Sequence, residues 1–583
     1  MKKLFIYGTI VLMALTSCND LLDKEPLDTF SNTPEYWSNT DNLENQCNTF
    51  LNNYSGYGNG SGGGWFYFKT LSDDQVDNDS HTWTYTNVVA KSSNWSDPFV
   101  EIRRAAYIIE GVRSSFLDNA VKANYEGIAR LNRAWEYFQL VRMYGDVQWI
   151  DKVIDSNDKE TLLAERTDRD IVMDNVLDDL KYACENMTGT NKQRFNKDMA
   201  LAMTADICLW EGTFCKYRTQ NENGKAADNT RAQKFLQECV IACEALMAKN
   251  YKLREDYQSI YNSVDLSKDT EIIFYKPYSK DAFMHSTIDY TVNTSGTHGM
   301  SKDAFDSYLF LDGKPLATTE ENTNDAATLV NGEYSLANVL AVRDKRLAAT
   351  IDPVLAFRGH AYSRAGVAPF TASTGYGVAK FDNTSLDLYN RNQIGTAYTD
   401  APIYWLSIIY LNYAEAKAEL GTLTQLDLNN TINKLQARAG LPDMTTTPAD
   451  DPANNMGVSN LIWEIRRCRR CELMFDNWYR YWDLIRWHQL ELLDSKKHPN
   501  VFLGANLENV ANPEETLKGK YLDASDGQNR IYERKHYLYP IPTGQLTLNK
   551  NMKQNLDWED RKSTRLNSSH ITISNAVFCL KKK

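Results

Sequence analysis

The sequence lacks an excess of basic residues, a dense set of cysteines and, beyond its N-terminus, an apolar run long enough to span a membrane. Lysine and arginine number 64 against 76 acidic residues, and the resulting net charge of −12 removes the electrostatic case for nucleic-acid binding. Ten cysteines in 583 residues are too few for a small disulfide scaffold. We therefore expect most of them to be small buried side chains.

The short motifs of common catalytic sites are also missing. The sequence holds no HExxH, no GxSxG, no P-loop and no GxGxxG after a predicted strand. The eight histidines are dispersed without the spacing of metal ligands. We predict that the protein is not an enzyme and uses no metal or cofactor. Because 76 acidic residues allow many carboxylate pairs, a surface glycoside hydrolase is kept as an alternative.

The N-terminus has the pattern of a lipoprotein leader. Lys2 and Lys3 precede an apolar stretch from Leu4 to Leu15, which is shorter than the ~20 residues that span a bilayer. The small residues that follow end in Cys18 and resemble the bacterial lipobox, whose cysteine becomes the acylated first residue. We predict a signal peptide at 1–17 and lipid attachment at Cys18. An ordinary secretory signal with a cysteine nearby is the alternative.

Apolar residues recur at steps of three and four in two blocks, which predicts amphipathic helices. In the first block the pattern covers 128–141, with a stop at Gly145, and continues at 202–212 and 232–246. In the second it covers 406–420 before Gly421, 428–439 before Gly440, and then 461–475 and 478–492. Small residues at the contacts favour tetratricopeptide-like packing. The predicted fold is mainly α, a tetratricopeptide-like helical repeat scaffold with long irregular loops and a few short strands.

The character of the chain changes between these blocks. Residues from about 270 to 400 are rich in Gly, Thr, Asn and Tyr and lack a helical period, and 271–275 predicts a short strand. We divide the chain into an N-terminal region at 18–270 with an aromatic loop at 52–95, a loop-rich middle region at 271–400 and a C-terminal helical region at 401–560. Residues 561–583 continue none of these patterns and are predicted to be a non-native or disordered tail.

Aromatic residues are abundant, at 11% of the chain, and several fall in the loop regions, where a scaffold usually carries its function. Sugar rings present an apolar C–H face that stacks on aromatic side chains, and their hydroxyls bond to polar neighbours. The alternative is that each aromatic residue anchors a long loop to the scaffold. The predicted ligand-binding residues are Trp65, Tyr67, Trp83, Tyr85, Asn87, Tyr290 and Tyr376.

Three polar clusters are given structural interpretations. Cys468 and Cys471 have CxxC spacing on a predicted helix without a second pair nearby, which favours a structural pair over a metal or redox site. The aspartates at 73–79 could hold Ca²⁺, but the glycine and closing glutamate of an EF-hand are missing, which favours a solvated acidic loop. The arginines at 466–470 are expected to pair with carboxylates such as Glu415 or Glu419 rather than to bind an anion.

Seven ordered segments carry a family resemblance over most of the chain, at 129–146, 200–217, 301–315, 343–347, 400–421, 432–442 and 466–487. The most specific segment extends from Asp400 to Gly421, and the segment from Ile432 to Pro442 follows it. Together they resemble the SusD/RagB family of Bacteroidetes outer-membrane nutrient-uptake lipoproteins. Cys468 and Cys471 depart from the family pattern, which has a glutamate and an apolar residue there.

The resemblance implies a mainly helical protein held on the outer membrane by its lipid, and the acidic residues after Cys18 resemble a surface-export signal. Such a protein would bind an oligosaccharide or polysaccharide and deliver it to a SusC-like TonB-dependent barrel. Family members place ligand contacts in variable loops, so no binding residue carries over. A peptide-binding member of the same family is the other alternative.

Overall fold

The computed structural model describes residues 32–66, 71–77, 80–292 and 298–558. The predicted leader, the lipid-attachment site Cys18, the candidate ligand residue Tyr67 and the predicted tail at 561–583 lie outside the described residues. Helices dominate the described part, so the prediction of a mainly α fold is confirmed. None of the helices in these ranges is both long and apolar enough to cross a bilayer.

Five long helices form the N-terminal block, and successive members pack against each other. Gly145 ends the longest of them with φ 73°, as predicted. Gly212 allows the helices Lys197–Tyr217 and Asn229–Met247 to approach closely, because a Cβ atom at Gly212 would lie 2.7 Å from Leu236. The helices are α1 (Pro34–Trp37), α2 (Thr40–Asn48), α3 (Ser93–Ser114), α4 (Asn119–Tyr144), α5 (Lys159–Leu162), α6 (Arg169–Asn186), α7 (Lys197–Tyr217), α8 (Gln220–Asn223) and α9 (Asn229–Met247).

Short elements make up the middle of the chain. Its helices are α10 (Ser259–Asn262), α11 (Thr287–Val292), α12 (Lys302–Ser307), α13 (Ala337–Leu340), α14 (Lys345–Thr350) and α15 (Leu388–Asn392). Five 3₁₀ helices occur in the described ranges, at Thr49–Asn53, Arg364–Gly366, Leu490–Leu493, Pro499–Phe502 and Arg534–Tyr537.

The strands are short and pair antiparallel in small sheets. The strands are β1 (Gln75–Val76), β2 (Ile272–Lys276), β3 (Gly299–Met300), β4 (Thr328–Val330), β5 (Glu333–Ser335), β6 (Ala401–Trp405), β7 (Leu503–Asn506), β8 (Leu517–Lys518) and β9 (Tyr521–Asp523). The sheets are β1–β3, β2–β6, β4–β5 and β7–β9–β8. The strand predicted at 271–275 is present as β2, which pairs with β6 so that Ile272 lies opposite Trp405.

The C-terminal block differs from its predicted helices at three places. The helix predicted at 461–475 ends at Glu472. The predicted helix at 428–439 is broken at Thr431, whose φ of −131° and ψ of −90° are not helical. The helix predicted at 478–492 begins one residue later and ends at Arg486. The helices of this block are α16 (Leu406–Glu419), α17 (Gln425–Asn430), α18 (Ile432–Ala439), α19 (Asn460–Glu472), α20 (Tyr479–Arg486) and α21 (Thr543–Leu548).

The two helical blocks share one core. Helix α16 packs against α7, α9 and α19, while α20 packs against α7. At the centre of these contacts Arg486 donates two hydrogen bonds of 2.7 Å to the fully buried Glu415. Burial alone would raise the pKa of Glu415, but the charge of Arg486 and its hydrogen bonds lower that pKa to about 2. The carboxylate is therefore ionised inside the core.

The arginines of α19 pair with carboxylates, as predicted. Arg466 contacts Glu419 at 3.1 Å. The prediction of a solvated acidic loop is wrong for Asp73 and Asp74, which are 2% and 4% exposed. Arg470 donates to Asp74 at 2.8 Å, and its guanidinium also lies 3.4 Å from Asp73. The acidic loop is thus folded against the arginine helix.

Seven of the eight cysteines in the described ranges are buried, and Cys184 is half-buried. Cys468 and Cys471 are 3% and 1% exposed, and both are free thiols. Burial raises the pKa of Cys468 to about 11 and that of Cys471 to about 12, so neither forms a thiolate at neutral pH. The structural interpretation of the CxxC spacing is therefore favoured over redox chemistry.

Candidate functional site

A cavity of about 660 Å³ opens between α3, α4 and the turn that precedes α20. We call it the tryptophan cavity. Its aromatic lining is formed by Trp65, Trp135, Trp478, Trp482 and Tyr539. Its polar lining includes Asn53, Asp97, Glu101, Glu136, Gln139, Arg142 and Asn477.

The tryptophans form two layers. Trp135 and Trp482 are each 6% exposed and make the floor. Trp65 and Trp478 are only half-buried and come from separate loops. The ring centroids of Trp65 and Trp135 lie 5.8 Å apart with an interplanar angle of 41°. The floor is set by helices α4 and α20, while the loops supply the ring surfaces that a ligand can reach.

Trp478 stands in an unusual turn between α19 and α20. Phe475, Asn477 and Trp478 all have left-handed backbones, with φ of 66°, 43° and 58°. Such conformations are costly for residues other than glycine and persist when surrounding contacts enforce them. Here the buried Asp476 contacts Lys380 at 2.7 Å and accepts a 2.7 Å hydrogen bond from Tyr261. These contacts hold the turn that places Trp478 at the cavity.

Arg142 brings a hydrogen-bond donor to the cavity. Its guanidinium lies 4.1 Å from the ring centroid of Trp482 and donates to Gln139. Burial lowers the pKa of Arg142 to about 10, so it is still charged at neutral pH. Its Nε is buried and, among the described residues, has no hydrogen-bond partner. The fold therefore leaves this polar group of Arg142 unsatisfied.

Glu136 is the most buried carboxyl group of the cavity, with an exposed fraction of 6%. Its Oε1 accepts a 2.9 Å hydrogen bond from Asn53. Burial raises its pKa to about 8, and the negative charges of Glu101 and Asp97 add to the shift, against the hydrogen bond from Asn53. Burial also raises the pKa of Glu101, although Arg104 at 3.2 Å opposes this.

This raised pKa predicts how stability changes with pH. Between its ordinary value of 4.5 and about 8, folded Glu136 keeps a proton that the unfolded chain releases, so stability falls as pH rises. Glu136→Gln removes this titration. We expect the variant to gain about 3–4 kcal/mol relative to wild type between pH 5 and pH 8, measured by urea unfolding. A stability difference that stays constant over this range would contradict the assignment.

The segment at 83–87 lies beside the cavity, and Thr84 is its lining residue. Trp83 stacks on His536 with centroids 3.9 Å apart, and its indole N–H donates to the Ile531 carbonyl at 2.7 Å. The hydroxyl of Tyr85 hydrogen-bonds with that of Ser92. These contacts give Trp83 and Tyr85 clear anchoring roles. Asn87 is exposed and lies outside the cavity lining.

The two tyrosines predicted in the middle region also lie away from the cavity. Tyr290 donates from its hydroxyl to the Ser61 carbonyl at 2.8 Å and so holds the glycine-rich segment. Tyr376 is 1% exposed and stacks on Phe305 with centroids 4.6 Å apart. The prediction is corrected at Tyr376, because a ring buried in the core offers no face to a ligand.

A second cavity, of about 710 Å³, has a different character. Its arginines are largely committed to neighbouring carboxylates. Arg467 pairs with Asp451, which also accepts a 2.9 Å hydrogen bond from the indole of Trp463. Arg470 pairs with Asp303 at 2.8 Å. The tryptophan cavity, which has several aromatic faces in its lining, is the better candidate site.

Sequence reasoning identified Trp65 but missed the rest of the cavity's aromatic lining. The apolar period at 128–141 predicts that Trp135 lies on a buried helix face, and the period at 478–492 predicts that Trp478 lies in a regular helix. The signal for Trp478 was Asn477 beside it, because asparagine tolerates the left-handed conformation. The sequence does not indicate that Glu136 and Arg142 line a site, because both lie on a helix whose neighbours in the cavity are distant in sequence.

Comparisons with known proteins agree with this architecture. A family model described as the SusD family matches residues 244–558. A second model, described as starch-binding associating with the outer membrane, matches residues 42–209. No curated protein matches the chain.

Solved structures share the fold at low sequence identity. A SusD-like carbohydrate binding protein from Bacteroides fragilis NCTC 9343 is 18% identical, with 89% of this chain and 100% of that chain covered and a TM-score of 0.67. A second SusD-like protein from that strain is 21% identical, covers 92% and 100%, and has a TM-score of 0.64. Surface glycan-binding protein A from Bacteroides fluxus is 16% identical, covers 89% and 99%, and has a TM-score of 0.58.

These likenesses confirm the tetratricopeptide-like helical scaffold expected from the sequence. The SusD family model alone spans more than half of the chain. The chain belongs to the SusD family.

Proposed function

We propose that this protein is a non-catalytic cell-surface lipoprotein that captures an oligosaccharide or polysaccharide in the tryptophan cavity. The observation that carries the proposal is the pair of half-buried rings, Trp65 and Trp478, above the floor formed by Trp135 and Trp482. A pyranose ring would place its C–H face on such a ring. Arg142 and Asn477 would bond to its hydroxyls.

The comparisons support this reading. One solved relative in fold is described as a carbohydrate binding protein and another as a surface glycan-binding protein. The family model that matches 42–209 is described as starch-binding and associated with the outer membrane. We propose lipid attachment at Cys18, an outward-facing position on the outer membrane, and delivery of the glycan to a SusC-like TonB-dependent barrel.

A glycoside hydrolase is the second candidate, because three carboxyl groups, those of Asp97, Glu101 and Glu136, line the same cavity. A raised pKa such as that of Glu136 is what a general acid needs at neutral pH. In a binding protein the same group would serve as a hydrogen-bond donor to the sugar. A peptide cargo is the other alternative within the family.

Affinity electrophoresis of the full-length chain in detergent against a panel of polysaccharides tests the proposal, with product analysis on the same samples. We expect retardation by one glycan class without cleavage. Cleavage that is lost in Glu136→Gln would establish the hydrolase instead. If every glycan fails and peptides are retained, the cargo is peptide.

A further inference from the structure

The carboxyl groups of the tryptophan cavity are collected on one wall. Asp97 and Glu101 lie four residues apart on α3, and Glu136 comes from the neighbouring α4. Residues at this spacing share one face of a helix. The three side chains therefore form a single acidic wall, although they come from two elements.

The cations near this wall leave Asp97 and Glu136 without an ion pair among the described residues. Arg104 pairs with Glu101 at 3.2 Å. Arg142, the basic residue in the cavity lining, lies over Trp482 and donates to Gln139. Glu136 accepts a hydrogen bond from the neutral amide of Asn53. Among the described residues, Asp97 accepts from Ser96 at 3.0 Å and has no ion-pair partner.

We propose that the tryptophan cavity selects its glycan by charge, and that it prefers a sugar carrying a protonated amino group to the neutral sugar and disfavours one carrying a carboxylate. This inference rests on the proposed function and names the ligand class of the same cavity. An ammonium group against the acidic wall would supply the cation that Glu136 and Asp97 lack. A uronate in that position would add a third negative charge beside those of Asp97 and Glu101, which would repel it.

Proton release is a second signature of this geometry. Glu136 holds a proton in the free protein at pH 7, since burial keeps its pKa above neutrality. A bound ammonium favours the ionised carboxylate, so the proton leaves as the ligand binds. A neutral sugar would leave Glu136 protonated. Binding of the amino sugar alone is therefore linked to the release of a proton.

The test uses three methyl glycosides on one ring: glucosaminide, glucoside and glucuronide. Binding to the full-length chain in detergent is followed at pH 7 by ligand-observed NMR, and by calorimetry in two buffers of different ionisation enthalpy. We expect the glucosaminide to bind at least fivefold more tightly than the glucoside, with proton release, and the glucuronide to bind most weakly. Equal affinity for all three, or tighter binding of the glucuronide, would overturn the charge selection and leave carbohydrate binding intact.

Two variants assign the effect to the wall. Glu136→Gln keeps the shape of the side chain, and Asp97→Asn makes the same kind of change at an exposed residue. Each should lower the ratio of glucosaminide affinity to glucoside affinity at least threefold. Glu110→Gln on α3, outside the cavity lining, is the matched control. An unchanged preference in both variants refutes the inference, and the absence of binding by any glycoside refutes carbohydrate capture as well.

Discussion

Trp478→Ala is expected to weaken glycan binding by about tenfold to thirtyfold, which corresponds to about 1.4–2 kcal/mol of binding free energy. The ring of Trp478 is half-buried at the mouth of the tryptophan cavity, so its exposed face is available to a sugar. Removing it takes away one of the two reachable stacking surfaces. Trp478→Phe should lose less, because a smaller aromatic face remains. Calorimetric titration with the retained glycan measures both changes.

Trp83→Ala is the matched control for this prediction. Like Trp478, Trp83 is a partly buried tryptophan, and it lies in the aromatic loop at 52–95. Its ring is stacked on His536, and its indole N–H donates a hydrogen bond to the Ile531 carbonyl. We expect this variant to lower the melting temperature and to change affinity less than twofold. A large loss in Trp83→Ala together with wild-type affinity in Trp478→Ala would move the site from the cavity to the 83–87 segment.

The helices could be predicted because they bury a regular apolar face, and some of them end at a glycine that favours a positive φ. Gly145 and Gly440 adopt φ of 73° and 75° at the predicted stops. The break at Thr431 could not be predicted, because the apolar period continues across it while the backbone does not. Periodicity therefore locates buried faces well and backbone irregularities poorly.

The candidate site was harder to predict, since it depends on contacts between distant segments. Trp65 was found because it lies in a glycine-rich loop without a helical period. Tyr376 has the same local context but packs on Phe305 in the core. Composition cannot separate these two cases. Trp478 was hidden because a left-handed turn interrupts what otherwise resembles one continuous helix.

Long-range ion pairs have the same limitation. Asp73 and Asp74 form a local acidic cluster in the sequence, and the arginines of α19 form a local basic cluster some 400 residues later. Each has a sensible local interpretation, as a solvated loop or as a helix with nearby partners. In the structure the two clusters are joined, because Arg470 of α19 pairs with Asp74. Arg480 of α20 pairs with Asp73 as well.

Arg470→Met is expected to destabilise the protein by about 3–5 kcal/mol in chemical denaturation, because one partner of a buried ion-pair network is removed and the carboxylates stay behind. Arg470 donates to Asp74 and to Asp303, each at 2.8 Å, and also to the backbone carbonyl of Asp73 at 2.9 Å. Methionine keeps the apolar stem of the side chain. The loss therefore reports on charge and hydrogen bonding more than on packing.

The matched control is Arg113→Met. Arg113 also makes a two-pronged contact, with Glu126 at 3.0 and 2.6 Å, but its side chain is 57% exposed. Such a pair is worth under about 1 kcal/mol, so the two variants should differ by at least about 2 kcal/mol. Equal losses would show that burial does not set the worth of these pairs.

The Arg470 variant also tests a link between stability and binding. Asp74 lines a small space that Trp65 and Trp478 also line, so the acidic loop adjoins both stacking rings. If the loop supports these rings, Arg470→Met should weaken glycan binding under conditions where the protein is still folded, and Arg113→Met should not. Unchanged affinity in a destabilised but folded Arg470→Met protein would mean that α3, α4 and the turn before α20 hold the tryptophans without the loop.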